Sequence, residues 1–365
     1  MDAPAVRVKR RVVRAVTVYR YDIFALTAMA LLIGLTLNPL LSSGQVVFSD
    51  LAFGFSSNRY LEEIFGVWNE RWSTSTLLNI ARLVYILPSW LLSRAFGGSG
   101  AVLLSSFIFL LIWMSALSMY LFTKRIVSVY YSKKFDFYKV VALVTGAIFY
   151  ALNPWVIIRI QHIYLLCGYS LFPLVLMFFF NAFDPKFEAQ LVRGFRPTRV
   201  LPYRRNVLDL FLLALVFTIS AAAIHYFFYG IIFLLVLDAL VLGKNAAAQW
   251  RINRRLVGNL VRNNLAKIGV FGVFFALLSS YWLFAYVASI LTHAQASQHN
   301  INVVDTLSLF SRNSSLANVA FMISYWWPMF DLATLPVSFW VGGGLLLAFM
   351  AYAVVFESRR RAIVV

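Results

Sequence analysis

Charge is what this sequence has least of. Of its 365 residues 14 are acidic and 32 are Lys or Arg, so charged side chains make up only 13%. There is one cysteine, Cys167, which excludes an internal disulfide and a Cys-rich metal site. No P-loop, GxGxxG, HExxH or GxSxG pattern and no fixed-period repeat occurs, which argues against ATP-driven transport and zinc-protease chemistry. What is abundant is apolar. At 61% hydrophobic, 17% aromatic and a mean hydropathy of +0.78, the chain carries more apolar surface than one globular core buries. Its solvent is a membrane.

A hydrocarbon core roughly 30 Å thick is crossed by about 20 apolar residues in a helix. Runs of this kind occur at 22–43, 101–122, 138–152, 163–183, 207–224, 226–242, 268–291 and 337–356, the third being short. The expected fold is therefore an all-α integral membrane protein of about eight spans. Its parts are a basic N-terminal segment 1–21, a polytopic domain 22–356 and a basic tail 357–365.

Lys and Arg are retained on the cytoplasmic side during insertion. With the N-terminus cytoplasmic, segments 1–21, 124–139, 184–206, 244–267 and 357–365 hold 26 of the 32 basic residues. The even number of spans closes this scheme as a multi-pass protein of the cell membrane. Residues 79–96, "NIARLVYILPSWLLSRAF", contain Arg82, Arg94 and a central Pro88. Counting them as a span would put the Lys124, Arg125, Lys133, Lys134 cluster outside, so they read as an interfacial helix with Tyr85 and Trp90 at headgroup level. The formal net charge of +18 is explained by these short basic loops and their anionic lipid partners, which leaves nucleic acid out as a partner. The basic N-terminus is a topology signal, since a full-length span without a cleavage pattern follows it.

The remaining polar residues are unevenly spread. His162, His225, His293 and His299 lie at or beyond the outer ends of spans in this scheme, as do Asp50, Glu62, Glu63, Glu70, Asp305 and Asp331. That pattern points to an extracytoplasmic site, and outer loops 44–100 and 292–336 are long enough to build one. Asp50 stands in "VVFSDLAFGF", a lone carboxylate among aromatics. Read from its neighbours alone, it suits the cap of a following helix.

"NPWVIIRIQHIY", 153–164, is the third element. Pro154 disfavours helix at Asn153 and can itself start one, so the chain turns here. On the new helix Arg159 and His162 are three apart and share a face. They suit a phosphate, although Arg159 can equally snorkel to lipid headgroups. Asp209 and Asp238 lie near cytoplasmic ends, where Arg204, Arg205 or Lys244 are the expected partners, and Asp22 begins the first span beside Arg20. The single sequon, Asn313-Ser314-Ser315, falls in the last outer loop.

The order of a short cytoplasmic N-terminus, one span, a long outer loop opening on an acidic residue, an interfacial helix and then many spans resembles the GT-C superfamily of polytopic glycosyltransferases. "NPWVIIRIQHIYLLCGYSLFPLVL", 153–176, is similar to a segment of the arabinofuranosyltransferase-like members and their uncharacterised archaeal and bacterial relatives. "FSDLAFGF" and "YLEEIFGVWNERWSTSTLLNIARLVYILPSWLL" resemble that group's first outer loop. The likeness covers roughly 20–230. It implies a polyprenyl-phosphate-linked sugar donor presented from the outer leaflet, and an extracytoplasmic glycan, glycolipid or protein acceptor. Asp50 would then be the catalytic base; a positioned base contributes on the order of 100 to 10,000-fold. Arg159, His162 and His225 would bind the donor phosphate, whose growing charge needs cationic or hydrogen-bonding partners. Glu62 or Glu63 would supply a second carboxylate, one only, because neighbours on a helix diverge by about 100°. A divalent metal ion is a possible cofactor. The chain ends after eight spans, whereas many GT-C enzymes carry more spans or a soluble outer domain. A non-enzymatic transporter or assembly subunit for lipid-linked glycans is the alternative reading.

Overall fold

A repeat of four decides how the first helix packs. Ala25, Met29, Ile33 and Leu37 form one buried stripe along α1 (Pro4–Leu41), while Leu31 and Leu35 on its other faces are exposed. In water that outer surface would be costly; in lipid it is the expected condition of a helix that touches protein on one side only. The structure, a computed structural model, describes residues 4–41, 58, 68–69, 74–75, 83–131, 135–191, 204–221, 224–250 and 254–297.

The described helices after α1 are α2 (Leu83–Ala95), α3 (Gly100–Tyr130), α4 (Phe137–Leu152), α5 (Pro154–Arg159), α6 (Ile163–Phe183), α7 (Pro185–Leu191), α8 (Arg204–Ser220), α9 (Ile224–Trp250) and α10 (Arg254–Ser297). A 3-10 turn, Ile160–His162, joins α5 to α6. The all-helical reading holds for the described residues apart from one two-residue antiparallel pair, in which Trp68 faces Ser75 and Asn69 faces Thr74. Two compact units divide the chain, Met1–Leu152 with Arg159–Thr292, and Asn153–Ile158 with His293–Val365. The packing and side-chain pairings below lie in the first unit, and only the capping by Asn153 lies in the second.

Five of the described helices are long and apolar enough to cross a membrane, over Arg20–Leu40, Gly100–Tyr130, Leu165–Phe183, Tyr226–Trp250 and Leu256–Phe284. They coincide with five of the eight expected spans. Two more of those spans are helices of 16 and 17 residues, α4 and α8, about 24 and 26 Å long at 1.5 Å per residue. The expected span 337–356 lies outside the described residues. The proposed interfacial helix is α2, with Ile86, Ser89 and Ser93 buried and Leu87, Leu91 and Leu92 exposed.

At the centre stand α3 and α6. Along α3, Leu103, Phe107, Leu111 and Ser115 are buried on one row and Leu104, Ile108, Ile112, Ala116 and Tyr120 on the next, because the helix is covered on two sides. Ser99 caps its N-terminus, its hydroxyl accepting from the Ala101 N–H at 3.1 Å. Small residues allow close packing: the Ser118 hydroxyl donates to the Ser170 carbonyl across α3 and α6, and the Ser220 hydroxyl to that of Gly168 at 3.1 Å across α8 and α6. The last described helix, α10, adds large rings to a Thr218–Ser279 hydroxyl contact at 3.0 Å. Phe271 and Phe275 meet Phe217 at centroid distances of 6.1 and 5.3 Å, and Trp282 meets Phe227 edge-on at 5.8 Å.

The long helices run in alternating directions, and side-chain pairings show which ends coincide. At one end Asp22 accepts from Tyr120 at 2.7 Å and pairs with Lys124, while Arg125 donates to Asn181 Oδ1 at 2.8 Å and to the Phe187 carbonyl at 3.1 Å. Asp22 was expected beside Arg20, but Arg20 donates to the Tyr21 hydroxyl and Lys124 on α3 takes the carboxylate. Asp209 follows expectation, binding Arg205 through two contacts of 3.2 and 3.4 Å. Asp238 does not: its Oδ2 accepts from Asn264 Nδ2 at 2.7 Å rather than from Lys244, since α10 lies against that face. At the opposite end Tyr150 pairs with Tyr169, and the Tyr85 hydroxyl donates to the Ile219 carbonyl.

Candidate functional site

The helix is interrupted just before α6. Asn153 caps α5, with Oδ1 accepting from the Val156 N–H at 3.1 Å and Pro154 in the first helical position, where the missing N–H costs nothing. After one and a half turns Arg159 leaves helical geometry at φ −86°, ψ 0°, the three residues to His162 form a 3-10 turn, and His162 at φ −108°, ψ 60° starts α6. Arg159 and His162 are thus not on one continuous helix. Arg159 is only 3% exposed, which rules out a side chain extended to headgroups, and His162 is half-buried.

Arg159 lies within electrostatic reach of Tyr226, which is also close to Tyr169 and Cys167. Tyr85, in turn, is close to Cys167, Tyr226 and Tyr281. Tyr150 and Tyr169 stack at 4.3 Å with their planes 7° apart, and each hydroxyl donates to the other's carbonyl, at 2.9 and 2.8 Å. Five tyrosines from α2, α4, α6, α9 and α10 therefore gather around the start of α6. Glycine at 168 is required for this: a Cβ there would stand 2.2 Å from Tyr226 Cδ2, so the ring lies directly on the backbone. Gly230 serves the same purpose between α8 and α9, where a Cβ would meet the Phe217 ring at 2.7 Å.

His225 is the second residue of α9, next to Tyr226, and its side chain lies outside the described residues. Asp50, Glu62 and Glu63 also lie outside them. Among the described residues no three His, Cys, Asp or Glu side chains assemble into a metal site. Sequence reading missed the tyrosines, which sit near span ends and pass for an interfacial aromatic belt.

It also missed a polar cluster at the other end of the bundle. Glu188 on α7, 2% exposed, accepts at Oε1 from Lys267 Nζ and Asn206 Nδ2; Lys267, 5% exposed, comes from α10. Burial pushes the Glu188 carboxyl above the usual glutamate range, and Lys267 and Asn206 oppose that rise without cancelling it. Both charges fall in segments that the sequence assigns to basic cytoplasmic loops.

The helices and the two buried polar ends define a multi-pass helical membrane protein. Compared with models of known protein families, with characterised proteins and with solved structures, the chain matches none.

Proposed function

We propose that this protein is a membrane glycosyltransferase that moves a sugar from a polyprenyl-phosphate-linked donor to an extracytoplasmic glycan, glycolipid or protein acceptor. The observation that carries the reading is Arg159, a guanidinium held at 3% exposure beside the phenol of Tyr226. A planar cation with a phenol near it is complementary to a phosphate, and in a water-poor site it stabilises the charge that grows on the leaving group. The cluster lies at the bundle end opposite Lys124, Arg125 and Lys267, which by the positive-inside rule supports an extracytoplasmic site.

In this reading Asp50 is the general base that takes the proton of the acceptor hydroxyl, and the acceptor oxygen then forms the new bond to the anomeric carbon. The bond from that carbon to phosphate breaks, and polyprenyl phosphate leaves with the electron pair, held by Arg159 with His162 and His225. Glu62 or Glu63 supplies a second carboxylate, or a ligand if a divalent metal takes part.

The test is the mass profile of glycolipids and glycoproteins in a deletion strain, rescued with wild type, Asp50→Asn or Arg159→Ala at matched expression. A sugar increment that disappears and returns only with wild type supports the transferase. Rescue by both variants removes these residues from the site. An unchanged glycan profile in the deletion strain overturns the reading in favour of a non-enzymatic transporter or assembly subunit.

A further inference from the structure

Helix α2 turns one face outward and the other to the tyrosines. Val84, Leu87 and Leu91 are exposed, whereas Tyr85 is close to Tyr226, Tyr281 and Cys167, and its hydroxyl donates to the Ile219 carbonyl. That carbonyl lies in the last turn of α8, where the helix has no donor of its own to supply. Helix α2 is therefore a wall on the lipid side of the Arg159 and Tyr226 cluster. Its other end turns back on itself. After Ala95 the chain passes through Gly97 and Gly98 at φ +94° and +73°, values that suit glycine, and α2 runs antiparallel along α3. Two contacts record that course: the Ser93 hydroxyl donates to the Ser99 carbonyl at 2.7 Å, and the Ser106 hydroxyl reaches the Ser89 carbonyl at 3.4 Å. The second is the weaker, since the Ser106 hydroxyl is shared with the Val102 and Leu103 carbonyls of its own helix. Tyr85, about 15 Å from the end of α2 at 1.5 Å per residue, fastens the far end.

In this position α2 is incompletely satisfied. Ser89 Oγ and Trp90 Nε1 are buried and have no hydrogen-bond partner. Buried polar groups left in that state favour any conformation that returns them to water or headgroups.

We propose that α2 is a lateral gate on the Arg159 and Tyr226 site, hinged at Gly97 and Gly98 and latched by Tyr85 on Ile219, which swings out to admit a lipid-linked phosphate from the outer leaflet. A substrate with its tail in the bilayer reaches a buried guanidinium sideways, between helices. The nature of this ligand rests on the transferase reading; the gate rests on α2 alone.

Cys167, the only thiol of the chain and 1% exposed, reports on the gate because Tyr85 lies near it. The full chain in lipid nanodiscs is treated with N-ethylmaleimide, and labelling of Cys167 is followed by peptide mass. Tyr85→Phe removes one hydrogen bond from the closed state and should raise the rate about tenfold. Asp22→Asn, which alters the carboxylate held by Tyr120 and Lys124 at the opposite end, should leave the rate unchanged. A disulfide between the thiols of Ser89→Cys and Ser106→Cys should slow labelling below wild type, and reduction should reverse this. Polyprenyl phosphate added to the nanodiscs should protect Cys167 in Tyr85→Phe; absence of protection overturns the ligand. An unchanged rate in Tyr85→Phe overturns the gate, as does an equal rise in Asp22→Asn, which would mean general unfolding. If the two introduced thiols do not join, the Tyr85 and Asp22 variants decide. No sugar enters the labelling rate, so the transferase reading fails on the glycan profile and the gate on labelling, each separately.

Discussion

Lys267 on α10 and Glu188 on α7 are 79 residues apart in sequence and form a buried ion pair, shared at the same carboxylate oxygen with Asn206. Helix α10 is also held by the Asn264 amide on Asp238, by the Thr218–Ser279 hydroxyl contact and by the rings of Phe271, Phe275 and Trp282.

Breaking the pair from one side leaves a charge buried alone. Lys267→Met should destabilise the protein by about 3–5 kcal/mol, whereas Lys267→Met combined with Glu188→Leu should recover most of the loss. Unfolding in denaturant in the same detergent, compared across the single and double variants, checks this. Equal and additive losses would mean that the two residues do not act as a pair.

Glu188 also sets a pH dependence. Burial favours the protonated acid, so between the ordinary glutamate range and the raised native value the folded chain binds more protons than the unfolded one. Stability must then fall as pH rises across that window and level off above it. Asp136 acts with the opposite sign and lower down. The Lys139 N–H and ammonium hold its carboxyl below the usual range, so its contribution is present above the ordinary aspartate value and is lost on further acidification. Midpoints measured against pH should show the upper decline in wild type and lose it in the Glu188→Leu, Lys267→Met double variant. The step from Asp136 should persist in that variant.

Gly168→Ala should be costly for a single methyl group. The added carbon would overlap the Tyr226 ring at 2.2 Å, and because the ring rests on backbone, Tyr226 itself must move. The expected destabilisation is about 1–3 kcal/mol, with loss of the glycan product if the ring belongs to the donor site. Tyr226→Ala in the Gly168→Ala background should restore the midpoint but not the product. Restoration of both would remove Tyr226 from the site.

Much of the architecture was legible because membrane insertion obeys local rules. A run such as 101–122 reads as a span from length alone, and α3 covers it. Asn153-Pro154 reads as a turn after which Pro154 can start a helix, and α5 starts there; that Asn153 caps it came only from the structure. Asp209 reads as paired with a nearby Arg204, Arg205 or Lys244, and Arg205 is the one that binds it. Where the reading failed, the partner came from a distant segment: Lys124 for Asp22 and Asn264 for Asp238. Arg159 is the instructive residue at the candidate site, since the sequence marks it as a cation near a span end but leaves open whether it reaches lipid or is buried.

By itself, then, the sequence determined that this is a helical membrane protein, roughly where its helices lie and which ends carry the basic residues. Each of these follows from hydrophobic length and from charge within one segment. Only the tertiary structure decided that Arg159 is enclosed near Tyr226, that Gly168 must be a glycine, and that Glu188 and Lys267 are buried together. The physical reason is that burial and pairing belong to contacts between helices. In lipid those contacts are chosen by packing and polar complementarity between surfaces that are equally apolar along each separate helix.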